Sequence, residues 1–177
     1  MIEFDYSELT PAERALQAEV REFLDRELPP GSYHPALGFH ADKNPEFSRK
    51  LGAQGYLGMS LPKQYGGHER SAVDRFIVTE ELLRRGAPVG HHWVADRQSG
   101  PVIAKFGTEH QKQRFIPGIV SGELSFCIGM SEPDSGSDLA SIATKATRDG
   151  DGWVLEGRKI WTTFAHEHDW AIVLCRS

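Results

Sequence analysis

The sequence predicts an α+β fold: an all-helical N-terminal domain followed by an incomplete β-domain. Three observations predict it. Two capping boxes and apolar residues at helical spacing fill the first two thirds of the chain. From about Ser121 the apolar period shortens to that of strands. The last apolar strand ends two residues before Ser177, with no closing element after it. Helices first and strands second is the α+β pattern, and the division falls between 1–121 and 122–177.

Each element has its own signal. Thr10-Pro11-Ala12-Glu13 is a capping box with proline at the first helical position. Ala12, Leu16, Val20 and Phe23 follow on one face, and Pro29-Pro30-Gly31 stops the helix. Asn44-Pro45 opens a shorter helix with Phe47 and Leu51 inward, ending by Gly52 to Gly55. Residues 55–62 hold too much glycine and proline for a helix and read as a packed connector. Ser71 begins a third helix with Val73, Phe76, Ile77 and Leu83 inward, closing at Gly86. A fourth covers 89–106 with a break at Gly100-Pro101. Thr108 and Gln111 form the second capping box, starting a helix that ends before Pro117. Residues 124–130 are an apolar run of strand length. Residues 141–148 alternate, with Ile142, Thr144 and Ala146 on one face. Asp149-Gly150-Asp151-Gly152 is a hairpin turn leading into Trp153-Val154-Leu155. Residues 159–163 and 170–175 supply two further strands. A few strands alone leave edges and apolar faces uncovered.

Composition narrows the function classes. A net charge of −5 argues against a nucleic-acid binder, which carries a basic face. The acidic start Met1-Ile2-Glu3-Phe4-Asp5 is unlike a signal peptide. No stretch approaches the roughly 20 apolar residues of a membrane span. The two cysteines, Cys127 and Cys175, sit in apolar runs and read as buried free thiols of a reducing compartment. A cytoplasmic protein is expected.

The segment Gly129-Met130-Ser131-Glu132-Pro133-Asp134-Ser135-Gly136-Ser137-Asp138 carries the chemistry. It leaves an apolar strand and enters a loop of small and hydroxyl residues. Such a loop presents backbone N–H groups and serine hydroxyls to an anion, or is an ordinary strand-connecting turn. A calcium loop does not fit, because the position for a bidentate glutamate is Lys145. Neither a Walker A sequence nor G-x-G-x-x-G occurs.

This segment closely resembles the first signature of the acyl-CoA dehydrogenase family. Three more stretches resemble the family in order and spacing. They are Gly55-Tyr56-Leu57-Gly58 with Pro62-x-x-Tyr65-Gly66-Gly67, then Phe106-Gly107-Thr108-Glu109-x-Gln111-Lys112, then Gly152-Trp153-Val154-Leu155-x-Gly157-x-Lys159-x-Trp161-x-Thr163. The resemblance runs from about Leu16 to Ser177. It implies FAD as cofactor. Ser131 matches a hydroxyl beside the flavin N1/O2 edge, where a donor stabilises developing negative charge. Ile128 and Met130 match neighbours of the isoalloxazine, and Gly136 and Ser137 match the turn meeting the FAD pyrophosphate and the acyl-CoA. Trp161 matches an indole beside the flavin and Thr163 a hydroxyl near flavin N5.

Two stretches depart from the family pattern. Phe164-Ala165-His166-Glu167-His168-Asp169 replaces small residues, and its histidines read as solvated side chains rather than metal ligands. His91-His92-Trp93-Val94-Ala95-Asp96-Arg97 replaces an apolar lining. His92 and Asp96, four apart, share a helix face and can pair. The stretch reads as a surface-facing polar stripe, or as the wall of a wider pocket in which His92, Asp96 and Arg97 select a polar or bulky acyl group such as a degraded sterol side chain.

The resemblance implies α,β-dehydrogenation of an acyl-CoA thioester, with electrons leaving through an electron-transfer flavoprotein and with a homo- or hetero-oligomeric enzyme. The same fold class hosts acyl-CoA oxidases and flavin monooxygenases. A further reading is a non-catalytic truncated chain or one subunit of a composite enzyme. The family's base lies in a helical domain after the β-domain, so no catalytic residue is expected here. The chain alone is expected neither to turn over acyl-CoA nor to hold FAD tightly.

Overall fold

Helix α1 (Pro11–Glu27) begins where Thr10 and Glu13 cap each other. The Thr10 hydroxyl accepts from the Glu13 N–H at 3.3 Å, and the Glu13 carboxylate accepts from the Thr10 N–H at 2.7 Å. The computed structural model describes residues 8–36 and 42–177. From α1, Leu16, Val20, Phe23 and Leu24 enter the core, whereas Ala12 stays exposed one turn short of it. Asn44 caps α2 (Pro45–Ala53) by accepting from the Phe47 N–H at 2.9 Å, and Phe47 and Leu51 turn inward. The connector that follows buries Tyr56, Leu57, Met59 and Leu61. Gly58 has a φ of +64°, and a Cβ there would meet Val120 Cγ2 at 2.4 Å. Both the backbone conformation and the close approach require glycine.

Helix α3 (Ala72–Arg85), capped by Ser71 and closed by Gly86 at a φ of +64°, corrects one expectation. Ile77 is buried as expected and Leu83 is half-buried. Val73 and Phe76 are 45% and 61% exposed, and Val78, Glu81 and Leu82 are buried instead. The cause lies in α1. Arg21 donates from Nε and Nη2 to the two Glu81 oxygens at 2.9 and 2.7 Å, turning a carboxylate inward and rotating the helix away from its hydrophobic count.

The Gly100-Pro101 pair does not break the next helix. Residues 95–99 form a π-turn in which the Gly100 N–H reaches the Ala95 carbonyl, and α4 (Gly100–Phe106) continues directly. The extra residue in that turn accommodates the proline, which cannot donate to a helical carbonyl. Helix α5 (Glu109–Val120) likewise runs through Pro117, contrary to the expected stop. Burial of Ile116, Ile119 and Val120 on both sides of the proline holds the last turn.

Strand β1 (Phe126–Gly129) pairs in parallel with β4 (Trp170–Val173), Phe126 opposite Trp170. Strands β2 (Lys145–Asp149) and β3 (Gly152–Glu156) form an antiparallel hairpin across Gly150-Asp151, as the turn residues predict. Ile142 and Thr144 are buried on the face expected from alternation, and Ala146 is half-buried. The expected strand at 159–163 is absent. Trp161 and Phe164 have φ of +56° and +58°, incompatible with a strand. The result is a helical domain with a partial β-domain of two separate pairs of strands. Trp153, Val154 and Leu155 of β3 remain exposed. One core lies among α1, α2 and α3; a second joins Ile116, Ile119 and Val120 of α5 to Phe126 and Ile172, so helices and strands share it.

Candidate functional site

The loop after β1 is organised by Glu132. Its carboxylate accepts from the Ala143 N–H at 2.6 Å, the Thr144 N–H at 2.9 Å and Lys159 Nζ at 2.7 Å. Lys159 Nζ also donates to the Met130 carbonyl at 2.9 Å. The Lys159 hydrogen bond, then those from Thr144 and Ala143, hold the Glu132 carboxyl down at about 2. The Ile160 N–H donates to the Ser131 carbonyl at 2.9 Å. These contacts bind residues 159–163 to the end of β1 without forming a strand.

Three of the expected residues meet in one place. Ile128, Trp161 and Thr163 line a cleft of about 210 Å³ whose opposite wall is Trp93, Val94 and Gln98 from the helical domain. Trp161 is 85% exposed and held at a positive φ. Such a backbone costs a bulky residue about 1–2 kcal/mol, and strain of this kind clusters at binding sites. Ser131 sits beside the cleft through its bond to Ile160. Met130 is partly exposed, with its carbonyl taken by Lys159.

Gly136 and Ser137 occupy the exposed tip of the loop. The Glu132 and Ser135 backbones bond to each other across the turn, and the Ser135 hydroxyl donates to the Asp138 carbonyl. Among the described residues, the amides of Gly136, Ser137 and Asp138 meet no protein acceptor. A Cβ at Gly136 would touch nothing within 4 Å. Ser137 is not among the residues that line the cleft with Trp161.

His92 and Asp96 are buried, which corrects the surface-facing stripe, and their side chains do not pair with each other. His92 Nδ1 lies 2.8 Å from the Ser48 hydroxyl, and burial pushes its imidazole down to about 3. Asp96 accepts from the Gly58 N–H at 2.7 Å, and burial raises its carboxyl above the usual range. Arg97 is half-buried with its guanidinium 4.7 Å from the Trp93 ring centre. His166 is exposed as expected; His168 is half-buried, with Nδ1 2.6 Å from the Phe126 carbonyl. Cys127 is buried and Cys175 half-buried, both free.

Sequence reasoning missed Trp93, Val94 and Gln98 as cleft walls, and Lys159 as the partner of Glu132. Trp93 and Val94 stand in the very stretch that departs from the family pattern, which was the available signal. Nothing local pointed to Gln98, and only the fold brings Lys159 to Glu132.

Known proteins resemble this chain in sequence and fold. The N-terminal domain of acyl-CoA dehydrogenase matches residues 10–123, and its middle domain matches residues 127–177. The acyl-CoA dehydrogenase FadE29 of Mycobacterium tuberculosis is 35% identical over 173 residues, covering 97% of this chain and 44% of that protein. The solved Tcur3481-Tcur3483 steroid ACAD superposes with a TM-score of 0.85 at 37% identity, over 96% of this chain and 44% of that one. A glutaryl-CoA dehydrogenase from Mycobacterium smegmatis, solved with FADH2, gives a TM-score of 0.77 at 32% identity, over 94% and 43%. The chain thus spans less than half the length of these relatives. Two matched domains in order, with the same helical and partial β architecture, lead to one conclusion: this chain belongs to the acyl-CoA dehydrogenase family.

Proposed function

We propose that the protein containing this chain is an FAD-dependent oxidoreductase that introduces an α,β double bond into an acyl-CoA thioester. The observation that carries the reading is the cleft between Ile128, Trp161 and Thr163 on one side and Trp93, Val94 and Gln98 on the other. Flat apolar walls with a hydroxyl and an amide at the margin fit an aromatic ring system with polar edges. At about 210 Å³ the cleft is smaller than the roughly 300–1,000 Å³ of complete ligand pockets. It fits the ring and leaves the nucleotide part of FAD to the loop surface.

Bound flavin supplies the two-electron acceptor for the substrate's β-hydrogen. The chain's own residues bind and orient. Trp161 would cover the ring and limit its contact with water, Ile128 and Met130 would pack beside it, and the hydroxyls of Ser131 and Thr163 would supply donors where the ring takes on negative charge. The amides of Gly136 and Ser137, lacking protein acceptors, hold the pyrophosphate and the neighbouring CoA. Of His92, Asp96 and Arg97, Arg97 is the member that reaches an open surface, and it influences acyl choice directly. His92 and Asp96 act through the shape of the helix. We assign no proton-abstracting base among these residues. Glu132 is not that base, because Lys159 and two amides already claim its oxygens.

The reading includes division of the chain at 121/122, a cytoplasmic location, a homo- or hetero-oligomer, and an electron-transfer flavoprotein as acceptor. The exposed Trp153, Val154 and Leu155 of β3 favour assembly with further polypeptide. Among the described residues no helix is long and apolar enough to cross a membrane. The test is acyl-CoA-dependent dye reduction by the native protein without oxygen, repeated in an oxygen electrode. Dye reduction with slow oxygen uptake supports a dehydrogenase. Rapid oxygen uptake assigns an oxidase or monooxygenase instead, and the absence of both dye reduction and oxygen uptake refutes the proposal.

A further inference from the structure

Helix α3 and the π-turn bring two guanidinium groups to one opening. Arg75 and Arg97, with Ser60, Ala72, Phe76 and Thr79, line a cleft of about 200 Å³. It is a different opening from that beneath Trp161, though Arg97 stacks on Trp93, which lines the latter.

Little of the hydrogen-bonding capacity there is used. Arg97 Nη1 donates to the Thr79 hydroxyl at 2.7 Å, and that hydroxyl donates to the Arg75 carbonyl at 2.8 Å, fixing Arg97 against α3. Arg75 Nη2 lies 3.4 Å from the Asp96 carbonyl oxygen and 3.7 Å from Oδ2, both long for hydrogen bonds. Among the described residues, Arg75 Nε is buried with no acceptor. Each guanidinium has five N–H donors in a fixed fork, so most of about ten lack a protein partner among the described residues.

The charge is unbalanced as well. Among the described residues, Asp96 is the one carboxylate in ion-pair reach of either guanidinium, at 3.7 Å; it accepts from the Gly58 N–H, and its burial outweighs both arginines in disfavouring ionisation. Burial first, and then Arg75, push the Arg97 guanidinium down. Partly desolvated cations with open donors are stabilised by a counter-anion that accepts bidentately.

We infer that this cleft is an oxyanion-binding site, in which the forks of Arg75 and Arg97 and the exposed hydroxyl of Ser60 take a carboxylate or phosphate group. Thr79 positions Arg97. The site itself rests on α3, the connector and the π-turn, not on the flavin reading. Two sources share the chemistry: a free anion, and the distal end of an acyl group reaching past Trp93. Only the second depends on the proposed activity.

The test titrates the native protein with inorganic phosphate, succinate and uncharged succinamide at constant ionic strength, using calorimetry. Saturable binding of phosphate or succinate, with none of succinamide, is expected. Arg97→Gln should weaken it about tenfold or more, and Ser60→Ala about two- to tenfold. Arg97→Lys should be intermediate, because a point charge lacks the fork, and Arg49→Gln on exposed α2 should change nothing. Comparing thioesters ending in a carboxylate with those ending in an amide separates the sources. A carboxylate preference lost in Arg97→Gln names the acyl group, and no preference names the free anion. Absence of saturable oxyanion binding, or binding unchanged in both Arg97→Gln and Ser60→Ala, overturns the inference. Flavin retention in Ser60→Ala, a residue outside the flavin cleft, should stay at the wild-type level, so failure here leaves the flavin reading intact.

Discussion

Glu132 and Lys159 form an ion pair at 2.7 Å, with side chains 8% and 11% exposed, that ties the loop after β1 to the segment carrying Trp161. The same carboxylate accepts the amides of Ala143 and Thr144 at the approach to β2. Three segments far apart in sequence therefore converge on one side chain.

This convergence predicts a pH signature. The Glu132 carboxyl sits at about 2 in the fold against an ordinary 4.5, because Lys159 and the amides favour the charged form. A depressed carboxylate contributes stability that is complete above about 4.5 and is lost as pH falls toward about 2. Glu132→Gln should therefore be less stable than wild type in urea at neutral pH, and the gap should close through that window. A gap of constant size down to the acid end would refute the assignment.

His92 gives a second signature over a different range. Burial holds its imidazole at about 3 against an ordinary 6.5, so the unfolded chain binds the proton more readily. Stability is then complete above about 6.5 and falls as pH drops toward about 3, by up to about 1.4 kcal/mol per pH unit for one group. His92→Gln, which can still bond Ser48, should flatten the wild-type slope by about that amount. Parallel slopes would mean that His92 is not the group responsible.

Two glycines should separate fold from function. A Cβ on Gly52 would lie 2.5 Å from the Ser121 carbonyl carbon and oxygen and 2.7 Å from the Val120 oxygen, all backbone atoms. Gly52→Ala should cost about 1–3 kcal/mol by forcing α2 from the end of α5. Gly136→Ala meets open space and should change stability by less than about 0.5 kcal/mol. If Gly136 carries the pyrophosphate, the same variant should still lower FAD affinity about tenfold, through one lost or lengthened charged contact. Chemical denaturation and flavin titration on the same preparations decide both.

What could be read from the sequence was set by local chemistry. The Thr10–Glu13 and Thr108–Gln111 boxes, the Asp149-Gly150-Asp151-Gly152 turn and the inward face of Ile142 and Thr144 all depend on residues within a few positions of one another. What was illegible depended on distant partners. Glu81 turns inward because Arg21, sixty positions earlier, meets it. The helix through Gly100-Pro101 survives because the π-turn before it supplies an extra residue. Residues 159–163 have strand composition, yet positive φ at Trp161 and the bond from Ile160 to Ser131 make them an irregular strap. In the candidate site, the motif residues Ile128, Trp161 and Thr163 were legible through the family resemblance. The opposing wall of Trp93, Val94 and Gln98 exists only once the helices pack on β1.

The central claim is that flavin binds against Trp161, and titrating FAD into wild type and Trp161→Ala tests it most directly. Because the indole is 85% exposed, its removal should leave the unfolding midpoint within about 0.5 kcal/mol of wild type. Loss of the stacking surface should weaken FAD binding about tenfold, in line with an aromatic contact of about 0.5–1.5 kcal/mol plus lost ring area. A folded Trp161→Ala protein that binds FAD as tightly as wild type would contradict the account.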